Sequence, residues 1–186
     1  EQYWDTLSRF GFGQSTDSGY PGESSGSLNS FNTWSEIEMA TLSFGYGLSV
    51  TPLQLVHAYS VLATGGIMLP VSFVKVNGSV MGKRVMPEDI TRQVTKMLET
   101  VVSANGTGKR AAIKGYRVIG KTGTVHKSIR GGYSDDRYLS IFAGIAPASE
   151  PRFAMVVLID EPSGDEHYGG VVAAPVFSKV MEGTLR

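Results

Sequence analysis

Hydrophobic residues recur at helical spacing in two central segments of the chain. The first segment follows Thr51-Pro52, where threonine can cap a helix and proline suits the first helical position. Its apolar positions run to Leu62, and Gly65-Gly66 ends the pattern. The second segment opens at Met86-Pro87 and ends at Asn105-Gly106. Its apolar stripe is Ile90, Val94, Met97, Leu98 and Val101.

The remaining segments of the first half predict shorter elements. Residues 1–12 and 36–42 are predicted as short helices, and 68–76 as an edge strand because it is rich in β-type residues and contains a proline. Residues 14–35 are rich in Gly, Ser, Thr and Asn, which favours an extended loop.

The pattern changes period in the last third of the chain. Three strand-like runs cover 116–124, 138–145 and 153–159, and the second and third are too close for a crossover helix. An antiparallel meander is therefore expected, followed by a helix over 173–185. Helices followed by a block of strands predict the α+β class, with an antiparallel sheet flanked by helices.

The amino-acid composition excludes several classes of function. The chain has 186 residues, about one domain, with 17 basic and 17 acidic side chains and no cysteine. Zero net charge argues against a general nucleic-acid binder. The lack of cysteine excludes disulfides, zinc–thiolate sites and a cysteine nucleophile. The three histidines are not spaced as metal ligands, and no run of residues is apolar enough to span a membrane.

The segment 115–122 matches the nucleotide-binding P-loop pattern letter for letter, and Asp160 ends a later hydrophobic strand as a magnesium-binding aspartate would. A phosphate cradle needs a loop that leads into a helix. Here the four middle residues, Tyr-Arg-Val-Ile, favour a strand, and Gly123-Thr124 begins a helix poorly. The sequence context therefore opposes this interpretation.

The same region carries Lys121-Thr122-Gly123-Thr124, the KTG signature of penicillin-recognising serine enzymes. A predicted strand leads into it, as that signature requires. An ammonium group and two hydroxyls at a strand edge can hold a carboxylate, while the adjacent backbone pairs with an extended peptide.

Two further matches to serine-enzyme motifs fail on local structure. Ser72–Lys75 has the S-x-x-K spacing, but that motif needs a helix to bring serine and lysine onto one face, and these residues favour a strand. Ser103–Asn105 has the S-x-N spacing and is explained by the end of the preceding helix. We therefore assign neither to a catalytic site.

Several separated motifs, taken in order, resemble the class B penicillin-binding proteins, and among them the division-specific branch. The resemblance covers essentially the whole chain. The matching runs are 43–47, 50–54, 112–117, 121–124, 142–148 and 174–177.

This resemblance implies a D,D-transpeptidase that cross-links peptidoglycan at the division septum through a serine acyl-enzyme and that β-lactams inhibit. Residues 1–186 would form the C-terminal portion of one transpeptidase domain, with the S-x-x-K and S-x-N motifs expected upstream. Lys121 would assist proton transfer. The hydroxyls of Thr122 and Thr124 would bind the terminal carboxylate of the substrate. Gly123 would allow its close approach, and the Thr124 N–H would serve as one oxyanion donor.

The resemblance also implies the surroundings of the site. The expected pocket walls are Tyr133, Tyr138, His167, Tyr168 and Gly169. No cofactor is expected. The expected partners are D-Ala-D-Ala stem peptides, β-lactams, the N-terminal part of the same protein, and divisome proteins including a septal glycan polymerase. The expected location is the periplasmic face of the bacterial inner membrane, with the anchoring helix outside this chain.

Two other functions remain open from the sequence. A non-catalytic penicillin-fold sensor would bind the ligand without turnover, and a β-lactamase would hydrolyse its acyl-enzyme quickly. The P-loop nucleotide binder is the third alternative, and the sequence context disfavours it.

Overall fold

The computed structural model describes all residues from Glu1 to Arg186. The helices are α1 (Gln2–Arg9), α2 (Glu36–Leu42), α3 (Pro52–Ala63), α4 (Glu88–Val101), α5 (Gly169–Val172) and α6 (Ala174–Leu185). The strands are β1 (Ile67–Met68), β2 (Lys83–Arg84), β3 (Ile119–Ile129), β4 (Gly132–Ala146) and β5 (Phe153–Asp160). The α+β class is confirmed. No helix is both long and apolar enough to cross a lipid bilayer.

The main sheet is the predicted antiparallel meander, in the order β3-β4-β5. Lys121 lies opposite Ala143, and Ile141 lies opposite both Gly123 on one side and Leu158 on the other. Because β5 pairs with β4 only from Leu139 onward, the outer parts of β3 and β4 form a two-stranded arm beyond β5. Since β3 is an edge strand, its outer side carries no strand partner.

Successive side chains of β4 point to opposite sides of the sheet, and both faces of the sheet are packed. Phe142 points to one face and meets Phe177 of α6 edge-on, with ring centroids 4.8 Å apart. Both rings are fully buried. Ile141 points to the other face, where it lines a cavity with Leu55 of α3. The buried cluster around Phe142 and Phe177 comprises Ala111, Ile113, Val118, Ala146, Ala173, Ala174, Met181 and Leu185.

The strand predicted over 68–76 is wrong. Only Ile67–Met68 pair, with Lys83–Arg84, and the chain then leaves the ladder. Pro70 has no N–H to donate, and Phe73 and Val74 are exposed, so the segment gains neither ladder bonds nor burial from extending the strand.

The hairpin of β3 and β4 is longer than the hydrophobic pattern predicts. Its outer part is polar and exposed, so alternation of apolar residues does not mark it. The tight turn at Arg130-Gly131 closes it, with Gly131 at φ +95°. Such a positive φ costs glycine little.

Asp160 and Glu161, at the end of β5, form ion pairs with the same lysine. The Lys127 ammonium reaches across β4 and donates to Asp160 at 2.8 Å and to Glu161 at 2.6 Å. These hydrogen bonds, led by the one to Asp160, hold the pKa of Lys127 above its usual value. The ion pairs tie the outer hairpin to the end of β5.

The predicted loop over 14–35 is confirmed, apart from a single 3₁₀ turn at Phe31–Thr33. Its anchor is the buried Gln54 of α3, whose amide donates to the carbonyls of Gln14 and Ser25, both at 2.7 Å. Within the loop, the Glu23 carboxylate accepts from the Ser18 hydroxyl at 2.6 Å and from the Thr16 N–H. These bonds, first that from Ser18, lower the pKa of Glu23 to about 2.

Candidate active site

The KTG residues lie on the outer edge of the sheet. Lys121 donates from its ammonium to the carbonyl of Thr122, and the N–H of His126 donates to the Tyr46 hydroxyl. The backbone groups of Thr122 and His126 therefore point away from β4. Since backbone direction alternates along a strand, the N–H and C=O of Thr124 point outward as well. An extended ligand can reach them there.

Tyr46 limits the length of this open edge. Its hydroxyl accepts from the His126 N–H at 3.1 Å, and its ring packs edge-on against Tyr133 at 4.8 Å. The edge is therefore covered at His126 and accessible at Thr124 and Thr122, where only the exposed Lys121 ammonium bonds to the Thr122 carbonyl. Tyr46 belongs to the run 43–47 that carried the family resemblance, but nothing in its sequence context assigned it this role.

The two KTG hydroxyls project to the face of the sheet that carries Phe142, because Thr122 lies opposite Phe142 and Thr124 opposite Ser140. Each hydroxyl has one protein partner. The Gly169 N–H donates to Thr124 Oγ1 at 3.0 Å, and Thr107 Oγ1 lies 3.1 Å from Thr122 Oγ1. The loop that holds Thr107 follows α4, and sequence reasoning missed it. The only feature of the sequence that could have indicated this loop is its pair of glycines, Gly106 and Gly108.

Two glycines allow α5 to approach the KTG strand. A Cβ at Gly169 would overlap the carbonyl oxygens of Ile141 and Gly123, and one at Gly170 would overlap the carbonyl oxygen of Thr107. Both glycines are buried. This short helix was not predicted, because the segment His167–Gly170 has no hydrophobic period.

Gly123 itself is not crowded by the protein. An added Cβ would lie 3.5 Å from the Ile141 Cβ, which is ordinary contact. The protein interior does not require a glycine here, so the expectation that Gly123 makes room for substrate stays a prediction.

An aromatic row runs along the side of the KTG strand. The rings of Tyr138 and His167 stack 3.8 Å apart and within 12° of parallel, and Tyr168 follows at 4.6 Å from His167. On the other side of Tyr138, His126 lies 4.6 Å away. The Ser140 hydroxyl donates to the His167 carbonyl and holds that loop to β4. The structure thus brings together three of the predicted wall residues and adds His126.

His126 is held in one orientation. Its Nδ1 lies 2.6 Å from the Ser134 carbonyl oxygen, which can only accept, so Nδ1 carries the hydrogen. Beside it, the Ser134 hydroxyl donates to the Asp136 carboxylate and lowers the pKa of Asp136.

Tyr133 lies apart from the KTG residues. It faces Ser128, four positions beyond Thr124 along β3, or about 13 Å at the usual rise of a strand. Its contact is with Tyr46. The structure therefore places Tyr133 behind the residue that covers the edge, not beside Lys121–Thr124.

The rejected motifs stay outside this site. Ser72 and Lys75 are exposed in a segment without helix or strand, and the Ser72 hydroxyl bonds to its neighbour Val74. Ser103 donates to the Thr100 carbonyl at the end of α4. Lys121 and Thr122 lie within β3, so no helix follows the P-loop match and the nucleotide interpretation fails.

Comparison with known proteins agrees with this geometry. The family model described as the penicillin binding protein transpeptidase domain matches residues 1–182. The chain is 50% identical over 182 residues to the peptidoglycan D,D-transpeptidase FtsI of Escherichia coli K12, covering 98% of this chain and 31% of that protein. It is 43% identical over 185 residues to the probable peptidoglycan D,D-transpeptidase PenA of Neisseria meningitidis, covering 100% and 32%.

The TP domain of Burkholderia pseudomallei penicillin-binding protein 3, solved as an apo structure, has the same fold. It matches with a TM-score of 0.92 at 43% identity, over 98% of this chain and 56% of that one. The chain thus spans about a third of the length of these curated relatives. The KTG strand, the sheet order and the family match over nearly every residue agree, and the chain belongs to the penicillin-binding protein transpeptidase family.

Proposed function

We propose that this chain is the substrate-holding, C-terminal portion of a peptidoglycan D,D-transpeptidase domain. The observation that carries the proposal is the open edge of β3. There Thr122 and Thr124 present outward backbone groups, and two hydroxyls lie beside them. An extended stem peptide with a terminal carboxylate fits this combination, because its backbone pairs with the edge and its carboxylate accepts from the hydroxyls.

The reaction proposed is acyl transfer through a serine ester. A serine of an S-x-x-K motif, supplied by residues before Glu1 together with the S-x-N motif, attacks the carbonyl of the penultimate D-Ala. The Thr124 N–H at the open edge stabilises the oxyanion, and the peptide bond to the terminal D-Ala then breaks, with the leaving nitrogen taking the proton that the serine hydroxyl gave up. An amine of a second stem then attacks the ester and releases the serine.

The KTG lysine supplies positive charge at this edge. The Lys121 ammonium is exposed and bonded only to the Thr122 carbonyl, so it is free to turn toward an arriving anion. A β-lactam carries both a strained acyl group and a carboxylate, and it enters the same site as a substrate mimic. The row of Tyr138, His167 and Tyr168 forms one wall of that site.

The cellular setting follows the named relatives. We place the whole protein at the periplasmic face of the inner membrane, held by an N-terminal helix, acting at the division septum with divisome proteins that include a septal glycan polymerase. The support is the identity to a protein named FtsI and to others named as peptidoglycan D,D-transpeptidases.

Covalent labelling of the full-length protein tests the proposal. A fluorescent penicillin should form a stable adduct, and peptide mapping should place it on an S-x-x-K serine upstream of Glu1. Thr124→Val should slow labelling, because it removes a carboxylate donor. Ser72→Ala is the control and should label like the wild type. An adduct on Ser72, or none at all, would refute the proposal.

Turnover separates the remaining alternatives. The transpeptidase should join a donor pentapeptide to an amine acceptor and release D-Ala. Labelling without any transfer would indicate a sensor, and rapid loss of the adduct by hydrolysis would indicate a β-lactamase.

A further inference from the structure

The hydroxyl of Thr107 is the hydrogen-bond partner of the KTG hydroxyl at Thr122. The two oxygens lie 3.1 Å apart, and either can donate. Thr107 has no other hydrogen bond from its side chain. Nothing in the KTG motif indicates this contact, since Thr107 comes from the loop after α4.

The loop holds Thr107 in place through close backbone packing. The Gly108 N–H donates to the Val101 carbonyl at 2.8 Å, and a Cβ at Gly108 would lie 2.8 Å from the Phe142 ring. On the other side, Gly170 packs on the Thr107 carbonyl. Thr107 is therefore fixed against both β4 and α5, although its side chain is exposed.

The direction of the hydrogen bonds depends on what binds at the edge. A hydroxyl has one hydrogen, and a carboxylate can only accept. When a carboxylate occupies the site, Thr122 must donate to it, so the hydrogen between the two threonines must come from Thr107. At Thr124 the direction is already set, because the Gly169 N–H donates into its oxygen and leaves the hydroxyl hydrogen free.

We propose that Thr107 is a positioning residue that makes the site select an anion. By donating to Thr122, it turns the Thr122 hydroxyl into a donor toward the ligand carboxylate, and the chain of two bonds strengthens each one. The Gly169 N–H does the same for Thr124. Two oriented donors then face one carboxylate. This inference rests on the proposed function and adds a residue to it.

The test measures acylation of the full-length protein by a penicillin and by the methyl ester of the same penicillin. Stopped-flow kinetics separate the dissociation constant of the first complex from the acylation rate constant. Thr107→Val keeps the shape and removes the hydroxyl, and it should raise the dissociation constant of the free acid by roughly three- to tenfold. The dissociation constant of the ester should be equally high for the variant and for the wild type. Thr107→Ser keeps a hydroxyl and should restore the wild-type dissociation constant of the free acid.

A double-mutant cycle tests the path through Thr122. In a Thr122→Val background, Thr107→Val should cause no further loss of affinity for the free acid, because the Thr122 hydroxyl that accepts from Thr107 is already gone. The matched control is Thr184→Val, which removes a hydroxyl bonded only within α6. It should leave the dissociation constants of the free acid and the ester unchanged.

The outcomes are separable. Thr107→Val could weaken the binding of the acid and the ester equally, or it could weaken acid binding by the same factor again in the Thr122→Val background. Either result would show a structural role for Thr107 and overturn the inference. A wild-type protein that is not acylated at all would overturn the proposed function instead. If Thr107→Val is poorly folded by circular dichroism, Thr107→Ala and Thr107→Ser carry the same comparison.

Discussion

Replacing Gly169 by alanine adds a single methyl group, and we expect that group to disrupt the site. The added Cβ would overlap the carbonyl oxygens of Ile141 and Gly123 and lie 3.0 Å from the Ile141 nitrogen. All three atoms belong to the backbone of paired strands, so no side chain can turn away to relieve the contact. The segment around residue 169 must move outward instead, and its N–H then loses Thr124 Oγ1.

The expected cost has two parts. Overpacking against a fixed backbone costs about 1–3 kcal/mol. Loss of the bond to Thr124 adds about 1 kcal/mol. The sum is roughly 2–4 kcal/mol. The transpeptidase domain that contains this chain is larger than 186 residues, and the shift per kcal/mol falls with size, so the unfolding midpoint should fall by a few degrees. Acylation by penicillin should slow because Thr124 is no longer oriented.

Thermal unfolding and penicillin acylation of the full-length variant measure both effects. Gly164→Ala is the matched control, since Gly164 is exposed, has an ordinary φ and would place its Cβ in open space. A Gly169→Ala protein that melts and acylates like Gly164→Ala would refute the packing argument.

Three further changes probe other parts of the fold. Gly183→Ala in the exposed side of α6 meets no neighbouring atom, so it should stabilise the protein by up to about 1 kcal/mol in thermal unfolding; a loss of stability would contradict this. Gln54→Ala should cost about 2–4 kcal/mol in urea denaturation, because it leaves the carbonyls of Gln14 and Ser25 without their donor; unchanged stability would show that water replaces the amide. The Glu23 pKa is lowered to about 2, so its stabilisation of the loop is complete above the unfolded value near 4.5 and is lost as pH falls toward 2. Limited pepsin digestion should cleave the wild-type loop more slowly than the Glu23→Gln loop near pH 4.5 and at the same rate near pH 2, and the ratio of the two rates at each pH cancels the pH dependence of pepsin itself; a ratio that does not change with pH would contradict the argument.

The sequence was most informative where local chemistry and tertiary structure agree. Pro52 and the Thr51–Gln54 capping box begin α3 where the pattern predicts it. The apolar runs of β4 and β5 predicted the meander because the C-terminal part of β4 is buried and β5 is half-buried over most of its length.

The sequence was least informative where a contact joins distant parts of the chain. Thr107 and Thr122 are fifteen positions apart, and Tyr46 and His126 are eighty apart. Neither pair leaves a periodic signal, since each depends on how the sheet and the loops come together. The polar arm of β3 and β4 was underestimated because its strands are held by backbone bonds and not by burial.

The covered edge at His126 has a consequence for strand pairing between molecules. An unpaired strand edge is a template on which another chain can add a strand, and long, flat edges promote aggregation. Here the Tyr46 hydroxyl covers the edge at His126, and without a ligand the Lys121 ammonium bonds to the Thr122 carbonyl. The remaining stretch is centred on Thr124, so it matches a short extended ligand better than a long strand from another molecule. At β3, therefore, an edge that stays open for a ligand offers a second copy of the chain few backbone groups to pair with.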